Sequence, residues 1–275
     1  MDHHNTTAKG SAMDNRLNQV LHNVIDILEA DNGTTFEEKK EQALSLLRSS
    51  RDNEPAPAAY LPETKAAICD RLQKKFWRTG DQVDAGLIVL RKESALDKDA
   101  YIEVQKTYSP IACMYESNTF RDDVWNNHTS EEVLTFSIDH CGKYIGYCGI
   151  KDIAQNLWEI VIELLPQWTK HGLGFVAVTT MLNEIQRRMK ISDFRIRIAP
   201  ENVASQHFFE HLGAVPACIS EFALHDPSMI EAFENENLDR ITDQLTAVAQ
   251  KFSVEPRKLL SHVLEYRLHW KEKRL

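Results

Sequence analysis

Apolar residues near the start of the chain recur at the i, i+3, i+4, i+7 spacing of one helical face. They are Leu17, Val20, Leu21, Val24, Ile25 and Leu28. Asn32-Gly33 ends this predicted helix, and the capping box of Thr35 and Glu38 begins a second one that runs to about Arg48. Because two short amphipathic helices cannot bury their apolar stripes alone, we expect them to pack against another part of the protein.

A Pro- and Ala-rich connection at residues 51–62 leads to a third predicted helix, which ends near Phe76. From Gly86 onward, short apolar runs alternate with amphipathic segments. They predict strands at 87–90, 133–140, 143–153, 157–165, 194–199 and 217–226, and helices within 94–125, 172–189 and 203–212. This alternation is typical of a mixed α/β domain.

After Pro227 the apolar spacing is helical again. One face carries Leu238, Ile241, Leu245, Val248 and Phe252. Ser253 is expected to cap a last helix that carries Leu260, Val263 and Leu264. The chain is therefore expected to end in a helical region.

These patterns divide the chain into four regions. Residues 1–12 are expected to be disordered or an expression scar, 13–83 an N-terminal helical region, 84–222 an α/β domain, and 223–275 a C-terminal helical region. The fold class is therefore α/β (α+β), with a central sheet flanked by helices. The apolar stripes of the terminal helices predict packing within one chain or across a homodimer, and both remain open.

Composition limits the classes of partner. The net charge of −9, from 32 basic and 41 acidic residues, argues against nucleic acid, because neutralising phosphates requires a basic face. It is compatible with cationic substrates such as amines, although an ordinary acidic soluble protein is the simpler explanation. No stretch approaches about 20 apolar residues, and the N-terminus lacks a signal-peptide core. We therefore expect a soluble, cytoplasmic protein without a membrane partner.

The cysteines predict neither a disulfide framework nor a metal site. There are five of them, an odd number, at scattered positions: Cys69, Cys113, Cys141, Cys148 and Cys218. His140 lies beside Cys141, but no C-x-x-C pair accompanies them, and strand alternation explains Cys148 as a core residue. No metal is predicted.

The segment from Trp158 to Gly174 carries the clearest chemical signal, because an apolar strand leads through a glycine-containing turn into a helix. Such a turn exposes backbone N–H groups at a helix N-terminus, where the helix dipole favours an anion such as a diphosphate. Gly172 and Gly174 let the backbone approach phosphates without a Cβ in the way, and Lys170 and His171 add charge at the rim. A plain strand–turn–helix corner shows the same pattern, and two glycines alone do not separate the two.

Two motifs resemble a known family. Glu-Ile-x-x-x-Leu-x-Pro at residues 159–166 followed by Gly-Leu-Gly at 172–174, and Ala-Pro-Glu-Asn at 199–202 followed by Leu-Gly at 212–213, are similar to the signatures of the GCN5-related N-acetyltransferases (GNAT). The likeness is greatest to the branch of ribosomal-protein N-terminal acetyltransferases. It covers about half the chain and implies a mostly antiparallel central sheet, acetyl-CoA as cosubstrate, and an amine of a small molecule or a peptide as acceptor.

The resemblance also implies site residues. The strand near residues 162–165 is expected to splay from its neighbour and to pair with the pantetheine arm of the cofactor, with the Leu164 N–H facing the thioester oxygen. The implied cofactor-binding residues are Leu164, Leu165, Thr169, Lys170, His171, Gly172, Leu173, Gly174, Asn202 and Ser205. The chain departs from the family at Thr169, where Gln or Arg is usual, and at Phe209, where many members carry a Tyr general acid. Phe cannot protonate a leaving thiolate.

Two carboxylates are candidates for the base that deprotonates an alkylammonium acceptor. Glu159 and Glu163 lie four apart on a predicted strand and therefore share one face. Buried carboxylates are costly unless they are paired or face a wet cleft. The alternative for either residue is an ion pair with Arg195 or Arg197 on the neighbouring strand.

Three further alternatives remain. A non-catalytic binding module would explain the changes at Thr169 and Phe209. An oxidoreductase is disfavoured, because no G-x-G-x-x-G follows the first strand. His140 ends a strand and is a further candidate base, although a turn histidine is the simpler explanation.

Overall fold

The structure, a computed structural model, describes residues 64–221 and 225–272. The regions predicted as disordered and as the first two helices, together with the connection at 51–62, lie outside these residues. None of the helices in the two described ranges is long and apolar enough to cross a membrane.

The described ranges contain a single sheet with helices on both of its faces. The helices are α1 (Lys65–Trp77), α2 (Lys98–Tyr108), α3 (Asn118–His128), α4 (Leu173–Met189), α5 (Val203–Leu212), α6 (Pro227–Glu236) and α7 (Asp243–Phe252). The strands are β1 (Gln82–Asp84), β2 (Val89–Arg91), β3 (Leu134–His140), β4 (Lys143–Lys151), β5 (Trp158–Leu164), β6 (Asp193–Ile198), β7 (Val215–Glu221) and β8 (His262–His269). The mixed α/β class predicted from the sequence is confirmed.

The sheet has the strand order β1-β2-β3-β4-β5-β6-β8-β7. All neighbouring strands are antiparallel except β5 and β6, which are parallel and are connected through α4. The hairpin between β3 and β4 turns at Cys141-Gly142, between the strands predicted at 133–140 and 143–153, and both residues have positive φ. The mostly antiparallel sheet implied by the resemblance is confirmed.

The strands β5 and β6 diverge soon after they begin to pair. Their register contains only two residue pairs, Trp158 with Phe194 and Glu159 with Arg195. Beyond these pairs β5 continues to Leu164 without a partner on its β6 side among the described strands. A gap therefore opens in the middle of the sheet.

Each face of β5 packs against a different helical layer. Ile162 and Leu164 point towards α4, since a Cβ at Gly174 would lie 3.3 Å from the Cδ1 of Ile162 and 3.4 Å from that of Leu164. Glu163 points the opposite way, towards α2, where Gln105 contacts it. The strand thus separates an apolar layer under α4 from a polar and aromatic layer under α2.

The prediction of a last helix after Ser253 is wrong. Residues 262–269 form β8, which inserts between β6 and β7, and Ser253 ends α7 at φ 55° instead of capping a new helix. The buried residues of this segment alternate along the chain: Leu264, Tyr266, Leu268 and Trp270. This period of two is the spacing of a strand, and the adjoining Leu259, Leu260 and Val263 obscure it.

Of the region predicted as helical from residue 223, residues 262–269 therefore belong to the sheet. The helices α6 and α7 form an insertion between β7 and β8, with a short 3-10 turn at Leu238–Arg240 separating them. Glu234 of α6 anchors this insertion, because its fully buried carboxylate is bonded by Arg257, Lys258 and Ser261 just before β8.

Candidate active site

The turn between β5 and α4 presents unbonded main-chain amides. Gly172 adopts the left-handed conformation at φ 77° and stands at the N-cap of α4. The first helical hydrogen bond runs from the Val176 N–H to the Gly172 carbonyl at 3.1 Å. The N–H groups of Leu173, Gly174 and Phe175 precede it and are the orphan donors of the helix start. Since α4 is 17 residues long, its dipole adds positive potential at this end.

The space at this turn is open on the side of Gly172. A Cβ built on Gly172 would meet no atom within 4 Å, so no side chain fills the corner. Gly174 is buried, and a Cβ there would crowd Ile162. The corner therefore fits a diphosphate, because amides point outward and no side chain blocks their approach.

The main-chain groups of Leu164 point into the gap between β5 and β6. The adjacent Leu165 donates its N–H to the Ile145 carbonyl at 2.9 Å, and Leu164 is opposite Gly146 in the register. Hydrogen-bonding and non-hydrogen-bonding pairs alternate along antiparallel strands, so the N–H and carbonyl of Leu164 face away from β4. This edge is suited to pair with an extended amide chain, as an added strand would. The N–H of Leu165 is already used by β4.

The remaining residues of the predicted cofactor site lie in two places, the β5–α4 turn and the N-terminus of α5. Thr169 directs its hydroxyl inward, donating to the Pro166 carbonyl at 2.8 Å. Lys170 and His171 are exposed at the rim of the turn, whereas Leu173 is buried. Across the gap, after β6, Asn202 caps α5 by accepting from the Ser205 N–H at 3.0 Å.

Glu159 is the buried member of the two candidate carboxylates, and it is ion-paired. Its side chain is 7% exposed, with the Nε atoms of Arg197 and Arg195 at 2.7 and 3.3 Å from its Oε2. These are the ion pairs that the sequence left as the alternative to a catalytic role. Both guanidinium groups contact the same carboxylate oxygen, so the side chain of Glu159 is engaged in salt bridges between β5 and β6.

Glu163 lies in a different environment on the same face. It is half-buried and has no cationic hydrogen-bond partner among the described residues; Gln105 of α2 donates to its Oε2 at 2.5 Å. The same amide lies 3.2 Å from the hydroxyl of Tyr147, the cross-strand neighbour of Glu163. Burial raises the pKa of Glu163 above its usual value. A carboxylate with a raised pKa is suited to accept a proton near neutral pH.

Two contacts of α2 with β5 had no signal in the sequence. Gln105 orients Glu163, and Tyr108, the last residue of α2, donates its hydroxyl to the Leu164 carbonyl at 2.7 Å. Both residues lie in a segment for which the sequence predicted only helices with loops. Their spacing of three places them on one side of the helix, but periodicity does not show that this side contacts β5.

Other residues considered in the sequence have structural contacts. The Nδ1 atom of His140 lies 2.7 Å from the Leu87 carbonyl, and Trp158 is buried with its indole N–H donating to the Ile153 carbonyl at 3.0 Å. Phe209 is 4% exposed within the core. In the described ranges, no group of three or more His, Cys, Asp or Glu side chains is placed to hold a metal ion.

Comparison with known proteins adds a family match. A family model described as "Acetyltransferase (GNAT) domain" matches residues 84–215. A search of curated proteins finds no match. The matched segment contains β5, the turn, α4 and β6, and it ends at the start of β7.

Solved structures are similar to this chain at low sequence identity. The ribosomal L7/L12 alpha-N-protein acetyltransferase RimL, in complex with coenzyme A, is 13% identical at a TM-score of 0.50, covering 70% of this chain and 99% of its own. RimJ of Mycobacterium smegmatis is 14% identical at 0.46, covering 67% and 83%. The spermidine/spermine N-acetyltransferase SpeG of Vibrio cholerae is 13% identical at 0.45, covering 67% and 94%.

Proposed function

Since residues 84–215 belong to the GNAT acetyltransferase family, we propose that this protein transfers the acetyl group of acetyl-CoA to a primary amine. The acceptor is an amine of a small molecule or the N-terminus of a peptide or protein. The observation that carries this proposal is the gap between β5 and β6, which leads to the open amides at the start of α4. One strand edge and one helix end thus offer donors for an amide-containing arm and for a diphosphate.

The main chain would hold the cosubstrate at two points. The amides of residues 172–175 and the rim charges of Lys170 and His171 would bind the diphosphate. The edge of β5 at Leu164 would pair with the arm, and the Leu164 N–H would stabilise the oxyanion that forms on the thioester carbonyl. The buried Leu173 contributes its N–H rather than its side chain.

Glu163 is the base in this proposal. Its raised pKa and its position on the face of β5 beneath α2 suit it to take a proton from an alkylammonium group, directly or through a water. The amine then attacks the thioester held at Leu164, one residue along the strand. Glu159, bound to Arg195 and Arg197, fixes the strands at the base of the gap instead.

The experiment is a measurement of thiol release from acetyl-CoA with a panel of polyamines, amino acids, aminoglycosides and peptides. Acceptor-dependent thiol release, lowered about 100-fold by Glu163→Gln, is the expected result. CoA binding without thiol release from any acceptor would contradict the proposal. That result would favour the non-catalytic binding module, which the Phe at position 209 and the inward-turned hydroxyl of Thr169 would then explain.

A further inference from the structure

The proposed reaction ends with a thiolate that must take up a proton, and position 209 provides no donor. Phe209 is buried in the core beside Phe208, and neither ring has a transferable proton. A donor has to reach the gap between β5 and β6 at the level of Leu164, where the thioester is expected. The face under α2 is rich in tyrosines, so their hydroxyl positions can be compared directly.

Tyr108 is the tyrosine whose hydroxyl reaches this gap. Its Oη is 2.7 Å from the carbonyl oxygen of Leu164, and that carbonyl faces the gap, away from β4. The residue is 50% exposed, so its ring borders an accessible surface. Tyr108 is the last residue of α2.

The other tyrosines of this face are placed differently. Tyr101, Tyr115 and Tyr147 are buried and pack together beneath α2 and α3. The hydroxyl of Tyr147 is near Gln105, whereas that of Tyr144 is buried without a hydrogen-bond partner among the described residues. Neither of these two hydroxyls contacts the main chain of Leu164 in the structure.

We propose that Tyr108 is the general acid that protonates the departing thiolate, an inference that rests on the proposed function. The amine nitrogen forms a bond to the acetyl carbon, the carbon–sulfur bond breaks, and its electron pair goes to sulfur. The phenol proton of Tyr108 moves to that sulfur, giving CoA as a free thiol. The phenolate regains a proton from the acetylated nitrogen through solvent, while the first ammonium proton leaves through Glu163.

The protonation state of Tyr108 fits this role. Its partial burial and the nearby charge of Glu163 both raise the pKa of its phenol. The phenol therefore stays protonated through neutral pH, as an acid must before the thiolate departs. The hydrogen bond to Leu164 holds the hydroxyl beside the reacting group before the reaction begins.

The test compares Tyr108→Phe with the matched control Tyr144→Phe, in the full chain and with the best acceptor of the panel. We expect Tyr108→Phe to lower kcat about 100-fold, in the range of general acid catalysis, with an unchanged Kd for CoA. The loss should shrink with acetyl thioesters of more acidic thiols, because such thiols leave without a proton. Tyr144→Phe should keep the wild-type kcat.

The outcomes separate the two proposals. Wild-type turnover together with an unchanged kcat in Tyr108→Phe would overturn the role of Tyr108 and leave the proposed function intact. Tyr108→Phe could instead weaken CoA binding or lower the urea midpoint of unfolding enough to explain the lower kcat, with no dependence on the leaving thiol. That result would show a structural role only and would also overturn the role of Tyr108 as the acid. Absence of thiol release by the wild type would instead overturn the proposed function, and this inference with it.

Discussion

Arg197 donates from its Nε to Glu159 at 2.7 Å, and this ion pair joins β5 to β6 where the two strands begin to diverge. Arg195 adds a second contact to the same carboxylate oxygen at 3.3 Å and also bonds Asp152 at 2.9 Å. The gap that we assign to the cosubstrate therefore begins directly beyond these two salt bridges of Glu159. Further along, no main-chain pairing between β5 and β6 holds the two strands together.

Removing the charge of Glu159 is expected to destabilise the fold. Glu159→Gln leaves two arginines facing a neutral amide, and we expect a loss of about 2–3 kcal/mol, below the usual cost of breaking a fully buried pair because both arginines are partly exposed. Urea denaturation measures it. The exposed Glu131→Gln is the control and should change stability by less than about 0.5 kcal/mol. Equal stabilities of Glu159→Gln and Glu131→Gln would show that the salt bridges of Glu159 do not stabilise the fold.

Glu163 should control the acid limb of the pH–rate profile. The base must be deprotonated, so turnover should rise with pH through the raised pKa of Glu163. Glu163→Gln should lower kcat about 100-fold and remove that limb. The exposed Glu103→Gln on α2 should keep both the rate and the profile. An acid limb retained in Glu163→Gln would assign the base to another residue.

Although Glu163→Gln should lower turnover, it should not lower the stability of the fold. A carboxyl whose folded-state pKa is raised favours the folded state below its unfolded pKa, and this contribution is lost as pH rises through the folded pKa. Glu163→Gln carries no such loss. It should therefore be at least as stable as the wild type at neutral pH, measured by thermal unfolding. A destabilised variant would show that the lost rate reflects damaged structure.

Replacing Gly172 should weaken CoA binding in addition to straining the backbone. Gly172 and Gly213 both have positive φ, 77° and 101°, and a Cβ at either would meet no atom within 4 Å. Replacing each by Leu should cost about 1–2 kcal/mol of backbone strain. Only Gly172→Leu should also weaken CoA binding, by at least about tenfold, as calorimetry would measure. Equal CoA affinities in the two variants would remove the turn from the binding site.

The contribution of Glu234 to the stability of the fold should depend on pH. Although burial opposes its ionisation, bonds from Ser261, Lys258 and Arg257 keep its pKa below the usual value. A lowered carboxyl pKa stabilises the fold above the unfolded pKa, and this contribution is lost as pH falls.

Glu234→Gln should therefore lose about 3 kcal/mol at pH 7, and the difference should narrow below about pH 4. The exposed Glu236→Gln on the same helix is the control. Urea titrations at several pH values test both. A constant difference across pH would contradict the ionic role of Glu234.

The sequence predicts the centre of the fold well, because local signals and tertiary structure agree there. The β3–β4 turn at Cys141-Gly142 and the helix starting after Gly172 have glycines where positive φ is needed. Gly213 likewise ends α5, at the boundary of the helix predicted at 203–212. The position of Glu159 and Glu163 on the same face of β5 also follows from the strand period of two.

The sequence fails where distant residues decide the outcome. The segment around Leu259 to Leu264 has apolar residues that suit either a helix or a strand, and only its position between β6 and β7 selects the strand. Periodicity cannot show that Arg197 binds Glu159 from another strand. Tyr108 and Gln105 reach β5 from residues more than 50 positions away, so no local pattern marks them.

The most direct test of the central claim is amide hydrogen exchange with and without CoA. The free protein should exchange rapidly at residues 172–175 and at Leu164, whose N–H groups have no partner in the described structure. CoA should slow exchange at both places, and Gly172→Leu should lose this protection. Protection that appears elsewhere, or that is absent from both the turn and the edge of β5, would contradict the account.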